Sequence, residues 1–387
     1  LCTQCHVEAN YDTQQHHFHP DSTQPGTLCV ECHMPETRYM GADPRRDHSI
    51  RIPRPDLTLE LGTPNACNLC HNDVRNGETP EWAAQQCEEW YPDSETTDQY
   101  SFGPVALAID AGKHRDPAAV DLLYDVTRMT GEEARPLIRA SAVALLDPLQ
   151  SGGEATQFEA LESEHGLLRI AAITALQEPL QMEVDSYWSM HQQAVAEMRR
   201  AQNVLFPNPP IGNPRISRLM ERLGPLLEDP LQGVRTEAAR VLCIVPPRLR
   251  MGEDNEFIDS FHTAFKEYVE SQYAAADQSS AHMNLGIVHR AMADPTIRTA
   301  RDRLAVMSQI SPPEASERLQ QEYAAAVQSA TQSAYDEYHI GIRLDPDQVN
   351  IRFNLAMLCN DRNEKEEAER HLREVIRIDA GIVDAHY

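Results

Sequence analysis

Cysteine pairs followed by histidine recur three times in the first quarter of this 387-residue chain, as Cys2-Thr-Gln-Cys5-His6, Cys29-Val-Glu-Cys32-His33 and Cys67-Asn-Leu-Cys70-His71. Two thiols three positions apart lie on one side of a turn, where they can form thioethers to the two vinyl groups of one porphyrin. The adjacent imidazole then reaches the iron. The spacing therefore predicts three covalently attached c-type haems, anchored by Cys2, Cys5, Cys29, Cys32, Cys67 and Cys70, with His6, His33 and His71 as proximal ligands. Random placement of the cysteines and histidines would yield only about 0.01 such motifs in a chain of this composition. A zinc site needs a second Cys-x-x-Cys or a His pair to complete four ligands. Neither zinc, a thioredoxin-like pair nor a disulfide explains a His after every second Cys. Cys87, Cys243 and Cys359 have no partner at metal-ligand spacing and read as small buried hydrophobes.

A haem iron held by one His is either open to substrate or closed by a second side chain, which separates a catalyst from an electron wire. Three imidazoles within four residues, His16, His17 and His19, lie between the first two motifs, and at least one of them is expected on an iron. His48 is a further candidate, and His114 a weaker one. Around His48 the run Asp43-Pro44-Arg45-Arg46-Asp47-His48-Ser49-Ile50-Arg51-Ile52-Pro53-Arg54-Pro55-Asp56 is forced by its prolines into an extended course that suits a strap across haem edges. Five arginines fall between Arg38 and Arg54. Their planar donors match haem propionates, with Arg45 and Arg46 foremost, although a solvated basic loop would read the same way. The histidines at 165, 191, 262, 282, 289, 339, 371 and 386 sit in helical texture and read as surface or packing residues.

The elements that must position these groups fall into three segments of a mainly α chain. Residues 1–100 are rich in His, Pro, Cys and turn residues but poor in aliphatic periodicity, as expected of a loop-rich segment packed on its cofactors. Only 27 and 38 residues separate the first cysteines of successive motifs, too little chain for independent domains, so the haems must be neighbours. Residues 101–250 change to amphipathic helices, and one pattern recurs: Arg139-Ala-Ser-Ala-Val-Ala-Leu-Leu, Arg169-Ile-Ala-Ala-Ile-Thr-Ala-Leu and Arg235-Thr-Glu-Ala-Ala-Arg-Val-Leu. This texture reads as HEAT-like helical hairpins with room for one further unit between the second and third copies. Asn203 to Pro214 reads as an irregular insert. In residues 251–387, Ala334, Tyr338, Ile342, Leu344 and Val349 return 34 positions later as Ala368, Leu372, Ile376, Ile378 and Val383. That is the tetratricopeptide period. Asn284-Leu285-Gly286 and Asn354-Leu355-Ala356 occupy the first-helix position, and Leu344-Asp345-Pro346 fits the turn between repeats. The fold class predicted is thus a haem-packed N-terminal segment followed by an α-solenoid. Strand signals are nearly absent.

The formal net charge of −26 argues against nucleic acid and anionic lipid as partners. No apolar run reaches the length of a membrane span. Covalent haem attachment implies the outer side of a cytoplasmic membrane, periplasmic or extracellular. The chain starts one residue before a haem motif and stops within repeat texture, as expected of a piece of a longer polypeptide.

Cys29-Val-Glu-Cys32-His33-Met34-Pro35, followed by Asp47-His48, resembles the module of multihaem cytochromes related to the nitrite reductase and hydroxylamine oxidoreductase group. The run from Arg45 through Gly62-Thr63-Pro64-Asn65-Ala66 to Cys67-Asn-Leu-Cys70-His71, with the repeats behind it, is similar to bacterial multihaem c-type cytochromes that end in HEAT-like and tetratricopeptide-like repeats. The resemblance implies that His33 and His71 are proximal ligands, that His48 serves the haem of His6 or one upstream, and that a His of the 16–19 cluster serves a neighbouring haem. The nitrite reductases carry Lys in place of the proximal His at the catalytic haem. No Cys-x-x-Cys-Lys occurs here, which argues against nitrite reduction.

Two functions are compatible with these residues. The first is electron transfer through closely stacked, mostly bis-His haems, with the repeats as an arm that docks redox partner proteins or copies of the same chain. The second is a multihaem oxidoreductase acting on a small nitrogen or sulfur oxyanion at an open iron, where Arg45 and Arg46 would orient the anion. A third reading, haems as structural staples beneath functional repeats, assigns three redox cofactors to a task that disulfides perform.

Overall fold

Each Cys-x-x-Cys-His motif folds as about one helical turn, which is what brings its two thiols to one side. Cys2–Gln4 is a 3-10 turn, and the helices that follow it in the N-terminal part are α1 (Glu8–Tyr11), α2 (Gln14–His17), α3 (Cys29–His33), α4 (Pro55–Leu61), α5 (Cys67–Cys70), α6 (Pro80–Trp90), α7 (Phe102–Lys113) and α8 (Ala119–Thr127). The computed structural model describes residues 2–20, 24–39, 43–48, 50–91, 102–129, 135–149, 152–200, 213–250, 255–310 and 312–382. Nearly all of the Asn203–Pro214 insert, with Val383 and His386, lies outside them. The described chain is mainly α and divides into two compact units, Leu1–Leu123 and Tyr124–Tyr387. The helix Phe102–Lys113, placed by its texture with the second segment, therefore belongs to the same unit as the haem motifs.

The extended strap expected from Asp43 to Asp56 is shorter in the structure. Asp43–Arg46 (β2) pairs antiparallel with Glu36–Tyr39 (β1), with Glu36 opposite Arg46, and Pro55 opens α4 from its first turn, where a missing N–H costs nothing. The hairpin escapes the period-2 pattern because it buries no face: Asp43, Pro44 and Arg45 are all exposed. Within the unit, α6 is the longest helix near the motifs. Thr79 caps it by accepting from the Trp82 N–H at 3.3 Å, Pro80 sits in its first turn, and it packs on α4 and α5.

The second unit continues with α9 (Pro136–Leu145), α10 (Gly153–Leu161), α11 (Gly166–Ala175), α12 (Gln177–Arg200), α13 (Pro214–Leu223), α14 (Gln232–Leu242), α15 (Pro247–Arg250), α16 (Asn255–Tyr273), α17 (Ser279–Ile310), α18 (Pro313–Leu344), α19 (Val349–Asp361) and α20 (Lys365–Ile378). The three helices that carry the recurring arginine pattern, α9, α11 and α14, pack in succession, and α16 follows on α14. The second and third copies pack directly on each other, with no further unit between them among the described residues. The added chain is spent on the 24-residue α12 and the segment leading to α13. Small residues permit the close approach: a Cβ on Gly166 would stand 2.4 Å from Leu231 Cδ1. One core runs from Ala140 and Val143 through Leu176, Leu223 and Val245 to Phe261, Tyr268 and Val288. It therefore crosses residue 250 without a break, because α16 covers the apolar face of α14.

The recurring arginines tie these helices together. Arg139 Nε donates to the Thr127 carbonyl at 2.9 Å, and Arg235 Nη1 to the Asp229 carbonyl at 2.7 Å. Arg169 forms a buried ion pair with the Asp229 carboxylate, Nη2 to Oδ1 at 3.0 Å and Nε to Oδ2 at 2.8 Å. Arg235 also makes a two-pronged pair with Glu267 at 2.9 Å. Asp229 thus joins two successive copies, one through its side chain and one through its backbone.

In the last segment, the 34-residue return maps the C-terminal half of α18 onto α20. The first-helix positions at Asn284 and Asn354, however, are joined by one hairpin of two 32-residue helices, α17 and α18, in place of two short repeats. Gly286 explains the close pairing: a Cβ there would stand 2.3 Å from Cε1 of Tyr338, whose ring is fully buried. We expect Gly286→Ala to lower stability by about 1–2 kcal/mol, since overpacking outweighs the gain in helix propensity. Urea unfolding should show a lower midpoint, and an unchanged midpoint would mean the ring can move aside. No helix among the described residues is long and apolar enough to cross a membrane.

Candidate haem-binding site

Two pairs of candidate imidazoles each join a motif histidine to the 16–19 cluster. The His16 and His33 rings lie 6.2 Å apart between centroids with planes 9° from parallel, and the His19 and His71 rings lie 6.1 Å apart at 38°. In each pair one ring belongs to a Cys-x-x-Cys-His motif and the other to the 16–19 cluster. An imidazole nitrogen sits about 2.0 Å from a bound transition metal, and a five-membered ring of ~1.35 Å bonds has a radius near ~1.15 Å. Two imidazoles on opposite sides of one metal therefore place their centroids about 6.3 Å apart. Both pairs have that span, and so do His17 and His19 at 6.2 Å, but those two are hydrogen-bonded directly to each other through His17 Nδ1 and the His17 carbonyl.

Hydrogen bonds decide which nitrogen each ring presents. His33 Nδ1 donates to the Arg51 carbonyl at 2.9 Å, and His19 Nδ1 to the His17 carbonyl at 2.6 Å. His71 Nδ1 faces Glu78 Oε1 at 3.2 Å. The Tyr91 hydroxyl donates to the His16 carbonyl and lies 3.4 Å from His16 Nδ1. With Nδ1 so engaged, all four rings keep the Nε2 lone pair for a metal, the arrangement that fixes the tautomer of metal-bound histidines. Burial, followed by the neighbouring His33 and His17, lowers the His16 pKa and favours its neutral, ligating form.

His17 is turned to another task. Its Nδ1 accepts the His19 N–H at 3.1 Å, so the neutral ring carries its proton on Nε2. His6 meets Tyr11 edge-on at 5.5 Å, and Tyr11 in turn meets His16. Among the described residues no imidazole ring contact joins His6 or His48. His48 is exposed, with Nδ1 on the Arg46 carbonyl at 2.8 Å. His114 is likewise exposed beside Asp110.

The arginines expected at propionates serve the polypeptide as well. Arg46 Nη1 donates to the Val30 and Met34 carbonyls at 3.2 and 3.3 Å and so closes the end of α3, while Nη2 pairs with Glu36 at 3.2 Å. Arg45 pairs with Asp43 at 3.6 Å.

Several residues that hold the imidazoles escaped the motif reading. Phe18 adopts a left-handed backbone with φ of 57°, a conformation that costs roughly 1–2 kcal/mol for a residue with a Cβ. This reversal separates His16 from His19. Its ring stacks on Trp90 at 4.5 Å and 1°, which offsets that cost. Trp82, on the other end of α6, contacts His71 at 4.9 Å. Two of the three tryptophans in the chain thus flank the site, and their placement just after the third motif was the available signal. Asn65 Oδ1 accepts the Asn68 N–H at 3.0 Å and Asn68 Nδ2 donates to the His71 carbonyl at 2.7 Å, which gives the Thr-Pro-Asn-Ala run ahead of the third motif its purpose.

Gly26 has φ of +94°, and a Cβ there would stand 2.5, 2.7 and 2.9 Å from Nε2, Cε1 and Cδ2 of His19. Those nearly equal distances place it over the ring face, off the Nε2 lone-pair axis. The glycine therefore lets the backbone press on the imidazole without blocking a metal. Gly26→Ala should displace His19 and free one iron, seen as one additional carbon monoxide per haem-loaded chain on reduction; unchanged uptake would refute this packing role.

The six motif cysteines are partly exposed or exposed and free of disulfides, as attachment to a porphyrin requires. Burial, with Cys67 and Glu31 nearby, pushes the Cys32 thiol up to about 11. Cys87 does not stand apart as expected. Its thiol meets Cys67, and that hydrogen bond, with help from His71, brings Cys67 down to about 7. Cys243 and Cys359 are buried. The thiol pairs, the paired imidazoles and their open Nε2 atoms fit c-type haem at the second and third motifs, and the thiols and His6 fit it at the first. Comparison with protein-family models, with curated proteins and with solved structures finds no match for this chain.

Proposed function

We propose that this chain is an electron-transfer multihaem c-type cytochrome. Two of its haems are ligated on both faces, one by His33 and His16 and the other by His71 and His19. The reading is carried by the two imidazole pairs at 6.2 and 6.1 Å, each joining a motif histidine to the 16–19 cluster. Covalently bound haem supplies one-electron redox chemistry at such positions. The residues supply the rest. His16 and His19 lie three residues apart, a reach of at most ~11 Å between their Cα atoms, so they hold adjacent irons. His33, His71 and His19 donate from Nδ1 and so keep their Nε2 lone pairs free, and the His16 ring is held by Tyr91. Phe18 and Trp90 fix the turn between the two distal ligands. His17 positions His19 and is not itself a ligand.

We read the arginine-bearing helices as HEAT-like repeats and the C-terminal hairpins as tetratricopeptide-like repeats, together forming a docking arm for a redox partner or a second copy of the chain. Sedimentation of the haem-loaded chain across concentrations would separate these, since self-association supports the second copy. Thioether-attached haem places the chain outside the cytoplasmic membrane. The decisive experiment is low-temperature electron paramagnetic resonance with carbon monoxide titration of the reduced chain. Low-spin signals from two unreactive haems support the assignment; two or more haems that bind carbon monoxide overturn it.

A second reading, an oxidoreductase for a small nitrogen or sulfur oxyanion, is favoured by one observation. Among the described residues the ring facing His6 is Tyr11, not an imidazole. If one haem per chain binds carbon monoxide, that iron is the site of such chemistry.

A further inference from the structure

The C-terminal hairpin brings together donors from two helices and the turn between them, in a segment that the haem chemistry does not use. Cys359 on α19, Glu364 just before α20 and Glu367 on α20 place one sulfur and two carboxylate oxygens within 4.8 Å of one another. His371 lies one turn beyond Glu367 on the same helix face. It is only 5% exposed, neither of its ring nitrogens has a hydrogen-bond partner, and its Nε2 lies 3.7 Å from Glu367 Oε1. A buried imidazole left without partners is a costly arrangement unless something else satisfies it. Glu364 Oε2 is buried and unpartnered in the same way.

We propose that Cys359, Glu364, Glu367 and His371 form a binding site for a zinc-class divalent cation. Thiolate, imidazole and carboxylate together are the donor set of that ion. Tetrahedral bonds of about 2.0–2.3 Å put neighbouring donors ~3.3–3.7 Å apart. The His371 to Glu367 separation of 3.7 Å already has that value, the three separations among Cys359, Glu364 and Glu367 need to close by at most about 1.5 Å, and His371 must draw nearer to Cys359 and Glu364 as the cation binds. His339 Nε2, also unpartnered, lies 3.8 Å from the same Glu367 oxygen and stands ready as an alternative fourth donor. Neighbouring groups hold the carboxylates in place. Arg362 Nε donates to Glu364 Oε1 at 3.0 Å, Arg370 Nη2 to Glu367 Oε1 at 2.8 Å, and the Tyr335 hydroxyl reaches the Glu367 carboxylate. The two guanidinium groups offset the charge of the two carboxylates, so the cation is balanced chiefly by the thiolate. Glu364 and Glu367 also line a cleft open to solvent, which gives an entry path. Burial pushes the Cys359 thiol up to about 12, and uptake of the cation therefore releases its proton.

The test is zinc uptake by the full haem-loaded chain, in which the motif thiols are already occupied. After chelation and re-addition of zinc chloride, gel-filtered protein should hold one zinc per chain by elemental analysis. The zinc absorption edge should report one sulfur neighbour at about 2.3 Å. Cys359→Ala and His371→Gln should each weaken zinc affinity at least tenfold while leaving the helical circular dichroism unchanged. Absence of zinc from the wild-type chain, bound zinc without a sulfur neighbour, or equal affinity in the variants would overturn the proposal. If the variants fail to fold, the wild-type edge spectrum still decides.

Discussion

Replacing His16 by alanine is expected to convert one low-spin haem into a five-coordinate, high-spin one, and reduced His16→Ala should bind one carbon monoxide per chain more than the wild type. The reason is local. His33 faces His16 at 6.2 Å, and the other rings near His16, Tyr11 and Tyr91, belong to tyrosines held edge-on. His19→Ala should give the same increment through His71, and the double variant an increment of two. His17→Ala is the discriminating control. Its ring accepts the His19 N–H, so its loss should leave carbon monoxide uptake unchanged and at most broaden the signal of the neighbouring haem. Equal effects of all three substitutions would mean that the cluster acts as a pool of interchangeable ligands, and the pairing would be wrong.

Asp229→Ala should cost about 3–5 kcal/mol, the range for removing one partner of a buried ion pair. That is a large share of the stability of a typical folded domain. Arg169 is 8% exposed and loses the carboxylate that accepts from its Nη2 and lies 2.8 Å from its Nε. The same carboxylate accepts the Leu231 N–H at 2.9 Å at the start of α14, so the substitution also leaves that backbone donor unpaired. Chemical denaturation followed by circular dichroism should show the loss as a lower midpoint. Asp229→Asn, which keeps an acceptor for Leu231, should lose less. A change below about 1 kcal/mol would show that the pair behaves like an exposed one.

The Cys-x-x-Cys-His motifs, the helical class and the recurring arginine and 34-residue patterns were legible in the order of residues because each rests on spacing within one turn or one helix. Cys-x-x-Cys-His is a local arrangement: a single turn sets where its thiols and imidazole point, whatever the rest of the chain does. The same holds for an apolar stripe at helical period, which must be buried somewhere.

What the spacing left open was decided by contacts between distant segments. His16, His17 and His19 are indistinguishable as letters, and their roles separate only because Phe18 turns the chain, Trp90 holds that turn, and His17 takes a neighbouring backbone N–H. Arg46 reads from its letter as a propionate partner, and only the fold adds its pairing with Glu36 and with the end of α3. His371 read as a packing residue, and only the fold shows it buried without a hydrogen-bond partner beside Glu367. In this chain, sequence alone determined where thiol pairs stand next to an imidazole at the spacing that haem attachment needs. Which imidazoles can face each other across an iron depended on tertiary structure, because a lone pair is assigned by the hydrogen bonds around its ring and not by its position in the chain.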